Sequence, residues 1–169
     1  RDSTSSVSRI VNALNLVREN PFPARIIPAV DIYFKSLSLN MTGENAQAFA
    51  DIKTAIKQDG FLTKLQDFSP SYHALTRDTC SLTMLKGSQK INVVPPVAEA
   101  EIDCRMLPDR SSDEFIQDFK NLVEPAGVKV ELVLAFAPAV SSTDSEFFKH
   151  IQSITASMHS GSRVAPAVS

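Results

Sequence analysis

Charge of one sign is scarce in this 169-residue sequence: 17 basic residues against 19 acidic ones leave a formal charge of −2. No block of like charge stands out, so nothing suggests a long nucleic-acid groove, which needs clustered Lys and Arg to neutralise phosphates. A small positive patch for a substrate carboxylate is still compatible with that balance. No uninterrupted apolar run approaches the ~20 residues that span a bilayer. The usual catalytic signatures are missing too: no GxSxG elbow, no phosphate loop and no GxGxxG occurs. His73, His150 and His159 lie far apart and in no HExxH or Cys-rich zinc spacing, so each reads as a surface histidine. Carboxylates are plentiful but unpaired by pattern, and repeats and low-complexity tracts are absent. The first four residues have no signal-peptide shape, and 162 to 168 reads as a strand entering a further structure. The compartment is therefore left open.

What is present is enough apolar material for a core, 43% of residues including 10 Phe, in a length that suits one domain with a short appended piece. Val7, Ile10, Val11, Leu14 and Val17 recur at three- and four-residue spacing and predict a helix over 4 to 19, capped by Asp2, Ser3 or Thr4 and ended by Asn20-Pro21-Phe22-Pro23. From 24 to 76 the pattern predicts a helical insertion. It comprises a short helix opened by Pro28, another over 45 to 58 with Phe49, Ile52 and Ile56 on one side, and a turn around Phe61, Leu62 and Leu65. Two alternating strands follow. One puts Cys80, Leu82 and Met84 on its apolar phase, and the other Ala100, Ile102, Cys104 and Met106. Ser111 and Glu114 form a capping box for a helix over 112 to 124, and 128 to 136 reads as a third strand ended by Pro138. A last helix, capped from Thr143, and a strand over 162 to 168 close the chain. The fold class expected is α+β: a small antiparallel sheet with two helices packed on one face, plus a helical insertion and a C-terminal α/β fragment.

Cys80 and Cys104 cannot make a disulfide framework. Both fall on apolar strand faces, and two reduced core thiols are the expected state. A cross-strand disulfide and a reactive or metal-bound thiol are the alternatives. One polar constellation stands out. Asn92 ends a strand-linking segment, and 13 residues on, Arg105 occupies the polar phase of the next strand, with Asp103 two before it. An Arg there can offer its fork to a carboxylate, with Asp103 steadying it; an ordinary exposed ion pair is the other reading.

These residues carry a resemblance. Asn92-Val93-Val94-Pro95, the alternating strand, and Asp103-Cys104-Arg105-Met106-Leu107-Pro108 resemble the lid signature of a family of co-catalytic zinc peptidases and amidohydrolases. The family includes glutamate carboxypeptidase, aminoacylase, succinyl-diaminopimelate desuccinylase and the carboxypeptidase S type. Asn20-Pro21-Phe22-Pro23-Ala24 and the insertion lean toward the last branch. The resemblance implies a dimerisation or lid domain over 1 to 136, lacking its first strand and carrying the insertion at 24 to 76, with 137 to 169 returning to a catalytic α/β domain. It implies a parent that cleaves an amide beside a free carboxylate in a dipeptide, an N-acyl amino acid or a C-terminal residue, using two zinc ions bound outside these residues. It places Arg105 on the substrate carboxylate with Asp103 in support, and gives Asn92 an oxyanion or site-closing contact that could cross a homodimer. By this reading the chain has no metal ligand or cofactor of its own and catalyses nothing alone. The insertion either shapes the acyl-side pocket or is a packing elaboration. The alternative without an enzymatic parent is an α+β dimerisation or peptide-interaction domain.

Overall fold

The computed structural model describes residues 4–136 and 139–167. The cap candidates Asp2 and Ser3, the strand breaker Pro138 and the final strand residue Val168 lie outside them. The chain forms two compact units, Arg1–Pro23 with Asp78–Pro138, and Ala24–Arg77 with Ala139–Ser169.

In the first unit, helix α1 (Ser6–Glu19) starts from Ser5, whose hydroxyl accepts the Ser8 amide at 3.2 Å. Ser5, not Thr4, is the cap here, because it holds the extended backbone a cap requires. Helix α7 (Ser112–Val123) carries the expected capping box: Ser111 accepts from the Glu114 amide and the Glu114 carboxylate accepts from Ser111. That exchange, led by the Ser111 amide, holds the Glu114 carboxyl below the usual range. The apolar faces of the two helices meet over one cluster, in which Ala13, Phe115, Phe119 and Val123 are buried and Val17, Phe22, Ile102, Val128 and Val130 pack around them. After α7 a short 3₁₀ turn, Glu124–Ala126, ends at Gly127 with φ 79°. A Cβ there would come within 3.2 Å of the Arg9 side chain, so glycine serves both the left-handed turn and the close approach of α1.

The sheet is one antiparallel pair, β1 (Thr79–Lys86) and β2 (Glu99–Arg105). Its register runs from Thr79 opposite Arg105 to Lys86 opposite Glu99, with a shift between Leu82 and Met84. That irregularity corrects the sequence phase of β1. Thr83 is the extra residue, so Met84 pairs with Glu101 on the polar face and Leu85 pairs with Ala100 on the apolar one. Strict alternation carries no information on where a ladder skips a residue. The register also decides the cysteines. Cys80 and Cys104 stand directly opposite, 4.1 Å between Cα atoms, and are joined in a disulfide, in place of the two reduced thiols expected. Periodicity gave both residues the same face, but only pairing shows that they share a rung.

Residues 128 to 136 are not a strand, nor are the described residues of 162 to 168. The alternation of Val128 and Val130 does reach the core. A strand needs a hydrogen-bonding neighbour, however, and among the described residues the β1–β2 ladder is the only one.

In the second unit, α2 (Pro28–Ser38) opens on Pro28 as the sequence predicts. The helix expected over 45 to 58 is instead two, α3 (Gly43–Ala50) and α4 (Ile52–Ala55), divided at Asp51. Asp51 leaves helical geometry and its carboxylate accepts the Thr54 amide at 3.3 Å, a local bond that competes with helix continuation. Then come α5 (Phe61–Phe68) and α6 (Pro70–Ala74), the latter capped by Ser69. Val30, Phe34, Phe49, Ile52, Ala55 and Leu65 form the buried side of this unit. The Phe34 ring meets Phe49 at 4.8 Å and Tyr72 at 5.6 Å, both edge to face. The last helix, α8 (Glu146–Met158), is capped by Ser145 and not by Thr143, its hydroxyl taking the Phe148 amide at 3.2 Å.

Asp31 ties this unit together. Its Oδ2 takes Lys35 from the next turn at 2.9 Å and Lys53 from α4 at 3.0 Å. Burial pushes the carboxyl up, but the hydrogen bonds from Lys35 and Lys53 outweigh it and hold the pKa below its ordinary value. A depressed carboxyl contributes stability above its unfolded pKa and loses it as the pH falls through the folded one. The advantage of wild type over Asp31→Asn should therefore be full at pH 6 and shrink below about pH 4. Paired urea titrations at pH 6 and pH 3 measure it, and an equal gap at both would remove Asp31 from the account.

Candidate functional site

The three sequence candidates all belong to the first unit. Arg105 ends β2, where the ladder pairs it with Thr79, and Asp103 sits two residues back on the same face, opposite Ser81. The alternation that buries Cys104 and Ile102 turns both outward. The closest approach of the pair is Arg105 Nε to Asp103 Oδ2 at 3.6 Å, longer than a hydrogen bond, and 78% of the Arg105 side chain is exposed. Such a contact orients a guanidinium loosely without consuming it. Glu101 and Glu99 continue the same face toward the other end, where Lys86 reaches them at 3.5 and 3.9 Å.

Asn92 is exposed, in a turn of the β1–β2 connection. Ser88 shapes that turn: its hydroxyl takes the Lys90 amide at 3.1 Å and donates to the Lys90 carbonyl at 2.9 Å. Further on, the Ser6 hydroxyl donates to the Pro95 carbonyl at 2.7 Å and fixes the connection against the start of α1. Asn92 therefore stands on the segment that leaves the Lys86–Glu99 pair, whereas Arg105 lies six positions along β2, at the other end of the ladder. At ~3.3 Å per residue the two ends are about 20 Å apart. The structure brings Asp103 to Arg105, and Asn92 lies on the connection that leaves the other end of the ladder.

Sequence reasoning missed the group that anchors the Arg105 end. Asp78, just before β1, is buried; it accepts the Leu107 amide at 2.8 Å and faces Arg110 Nη1 at 3.5 Å. Arg110 also holds Asp118 at 2.6 Å and lies 5.5 Å from the Phe115 ring centre. The residue types are ordinary surface types, and the only signal available was an Asp at the mouth of an apolar strand.

The second unit holds an open cleft of about 440 Å³, lined by Phe49, Phe61, Leu65 and Phe68 with Gln58 and Lys64 at polar positions. Of the histidines, His150 and His159 are exposed. His73 is half-buried, and burial together with the nearby Arg77 charge pushes its pKa down. Among the described residues no group of three or more His, Cys, Asp or Glu is placed to hold a metal ion. No helix among the described residues is long and apolar enough to cross a membrane.

The family model of the peptidase dimerisation domain matches residues 36–131, more than half of the chain and the whole of β1, β2 and α7. The chain belongs to that family. This peptidase dimerisation domain is 33% identical over 86 residues to the mouse (Mus musculus) N-fatty-acyl-amino acid synthase/hydrolase, half of this chain and 17% of the relative. The Xenopus tropicalis protein of the same description is 33% identical over 109 residues, 63% of this chain and 21% of that one. The probable carboxypeptidase S-like 2 of Dictyostelium discoideum is 30% identical over 109 residues, again 63% of this chain and 21% of the relative. The domain thus spans about a fifth of the length of these relatives. No solved structure matches it.

Proposed function

We propose that this dimerisation domain is the lid of a metal-dependent hydrolase that cleaves an amide beside a free carboxylate, and that Arg105 receives that carboxylate. The observation that carries the reading is the exposed guanidinium at the end of β2, oriented by Asp103 but not hydrogen-bonded to it. Its planar fork suits bidentate recognition of a carboxylate. The relatives' names support the substrate class, since an N-fatty-acyl amino acid presents an amide next to a free carboxylate. In such an enzyme two zinc ions, bound by residues outside this chain, would supply the activation of water. This chain's part is to bind, orient and close: residues 1 to 136 act as the lid, and 137 to 169 lead back toward the catalytic domain. Asn92 closes the site and steadies charge developing on the amide oxygen. Its place on the connection at the opposite end of the ladder from Arg105 is compatible with a homodimer in which Asn92 serves the partner's site, so that each site draws on both lids.

The test is hydrolysis of a panel of N-acyl amino acids and dipeptides by the full-length protein that contains this chain, with zinc and with a chelator. Cleavage should be lost with the chelator, and Arg105→Ala should raise KM by about 10²-fold, the cost of losing charge-assisted hydrogen bonds to an ionised group. Amides lacking the carboxylate should not respond to the substitution. An unchanged KM in the variant would return Arg105 to an ordinary surface ion pair. No cleavage by folded, zinc-loaded protein would point to a scaffold.

A further inference from the structure

Cys80 and Cys104, 24 positions apart in sequence, close a covalent ring around the β1–β2 connection. The position of the bond in the ladder gives it reach beyond the core. It ties the rung next to Thr79–Arg105, so Arg105 directly follows a cross-linked residue. The ring also encloses the whole of 87 to 98, Asn92 included. Among the described residues the sheet has only these two strands, and Leu82, Met84 and Leu85 are 44–57% exposed. An isolated pair of strands is marginal in water, so a covalent rung matters more here than in a broad sheet. Both cysteines flank the core cluster and are half-buried, neither sealed inside it nor fully open.

We propose that Cys80–Cys104 is a thiol–disulfide exchange site whose redox state sets how firmly the sheet and the connection bearing Asn92 are held. Its bearing on Asn92 and Arg105 as site residues rests on the function proposed above; its bearing on the sheet does not. The reductant is a dithiol. One of its thiolates attacks a cysteine sulfur, breaking the Cys80–Cys104 bond and forming a mixed disulfide, and its second thiolate then displaces the protein sulfur. The reductant gives up two electrons and leaves as its cyclic disulfide, and two protons end on the cysteine sulfurs. The unfolded chain regains the entropy the ring had removed, and the rung is left without its covalent tie.

The experiment uses this chain refolded under oxidised glutathione, before and after dithiothreitol, followed by intact mass, thermal unfolding and amide hydrogen exchange. The oxidised chain should be two hydrogens lighter. Dithiothreitol at native conditions should restore them and lower Tm by about 10 °C. Exchange over 79 to 105 should quicken by roughly tenfold or more while the amides of α7 stay protected. The double variants Cys80→Ser/Cys104→Ser and Cys80→Val/Cys104→Ala should not respond to dithiothreitol, and the wild-type comparison stands even where a variant folds poorly. Free thiols after oxidative refolding, a bond that dithiothreitol leaves intact in the native chain, or reduction without change in Tm or exchange would each overturn the proposal. None of these readouts depends on catalysis, so they separate this proposal from the carboxylate role of Arg105.

Discussion

Replacing Asp78 with alanine is expected to destabilise the chain by about 3–5 kcal/mol, the usual cost of removing one member of a buried ion pair. Two deficits add up in that variant. The Leu107 amide, buried just after β2, loses its 2.8 Å acceptor, and an unsatisfied buried donor costs ~1–3 kcal/mol by itself. Arg110, only 18% exposed, keeps its charge beside Phe115, with Asp118 at 2.6 Å still paired to it. Asp78→Asn should lose less, because an amide oxygen can still accept from Leu107 while the attraction to Arg110 disappears. Urea unfolding of the three proteins orders them wild type, Asn, Ala. A loss below ~1 kcal/mol in the alanine variant, the range of an exposed pair, would mean that Asp78 is not the clamp the geometry describes. Since Asp78 precedes Thr79 and Leu107 follows Arg105 by two residues, the substitution should also loosen the rung that presents Arg105.

Phe34→Ala in the second unit should cost about 3–5 kcal/mol, the range for deleting a buried aromatic ring. Phe34 is fully buried and meets Phe49, Tyr72 and Tyr33 at 4.8 to 5.9 Å between ring centres. The edge-to-face contacts add to the area lost, and the remaining rings are too rigid to collapse into the space. Phe34→Leu, which keeps most of the volume, should lose clearly less. Chemical unfolding resolves the two variants, and equal losses would show that the site tolerates reshaping. Phe68 is a useful contrast on the rim of the same cluster. It is half exposed, so its truncation should cost far less than that of Phe34.

Much of this architecture was legible before any coordinates. The span of α1, the capping box of α7, Pro28 at the start of α2 and the two strands all follow from local rules acting over three or four residues, and each is found. The α1 stripe is not: Val7 and Val11 are exposed, and Ala13 with Val17 meets the core. Errors fell where a second segment had to be known. The strand expected over 128 to 136 alternates correctly but has no ladder partner among the described residues, whereas the break at Asp51 is a local cap on Thr54 that apolar spacing does not show. The site was legible to a similar degree. The outward phase of Asp103 and Arg105 is a consequence of strand period, whereas the distance from Asn92 depends on where the connection leaves the ladder.

By itself, then, the sequence determined the α+β class, the apolar face of α7, the polar face of β2 and the resemblance to a hydrolase lid, because these rest on period and motif along one chain. The tertiary structure alone decided the register that joins Cys80 to Cys104, the slip at Thr83 that turns Met84 outward, and the burial of Asp78 against Leu107 and Arg110. The physical reason is common to all three. A strand's period fixes which face a side chain takes, but its partner across the ladder or under the helix is set by long-range pairing, which no local pattern encodes.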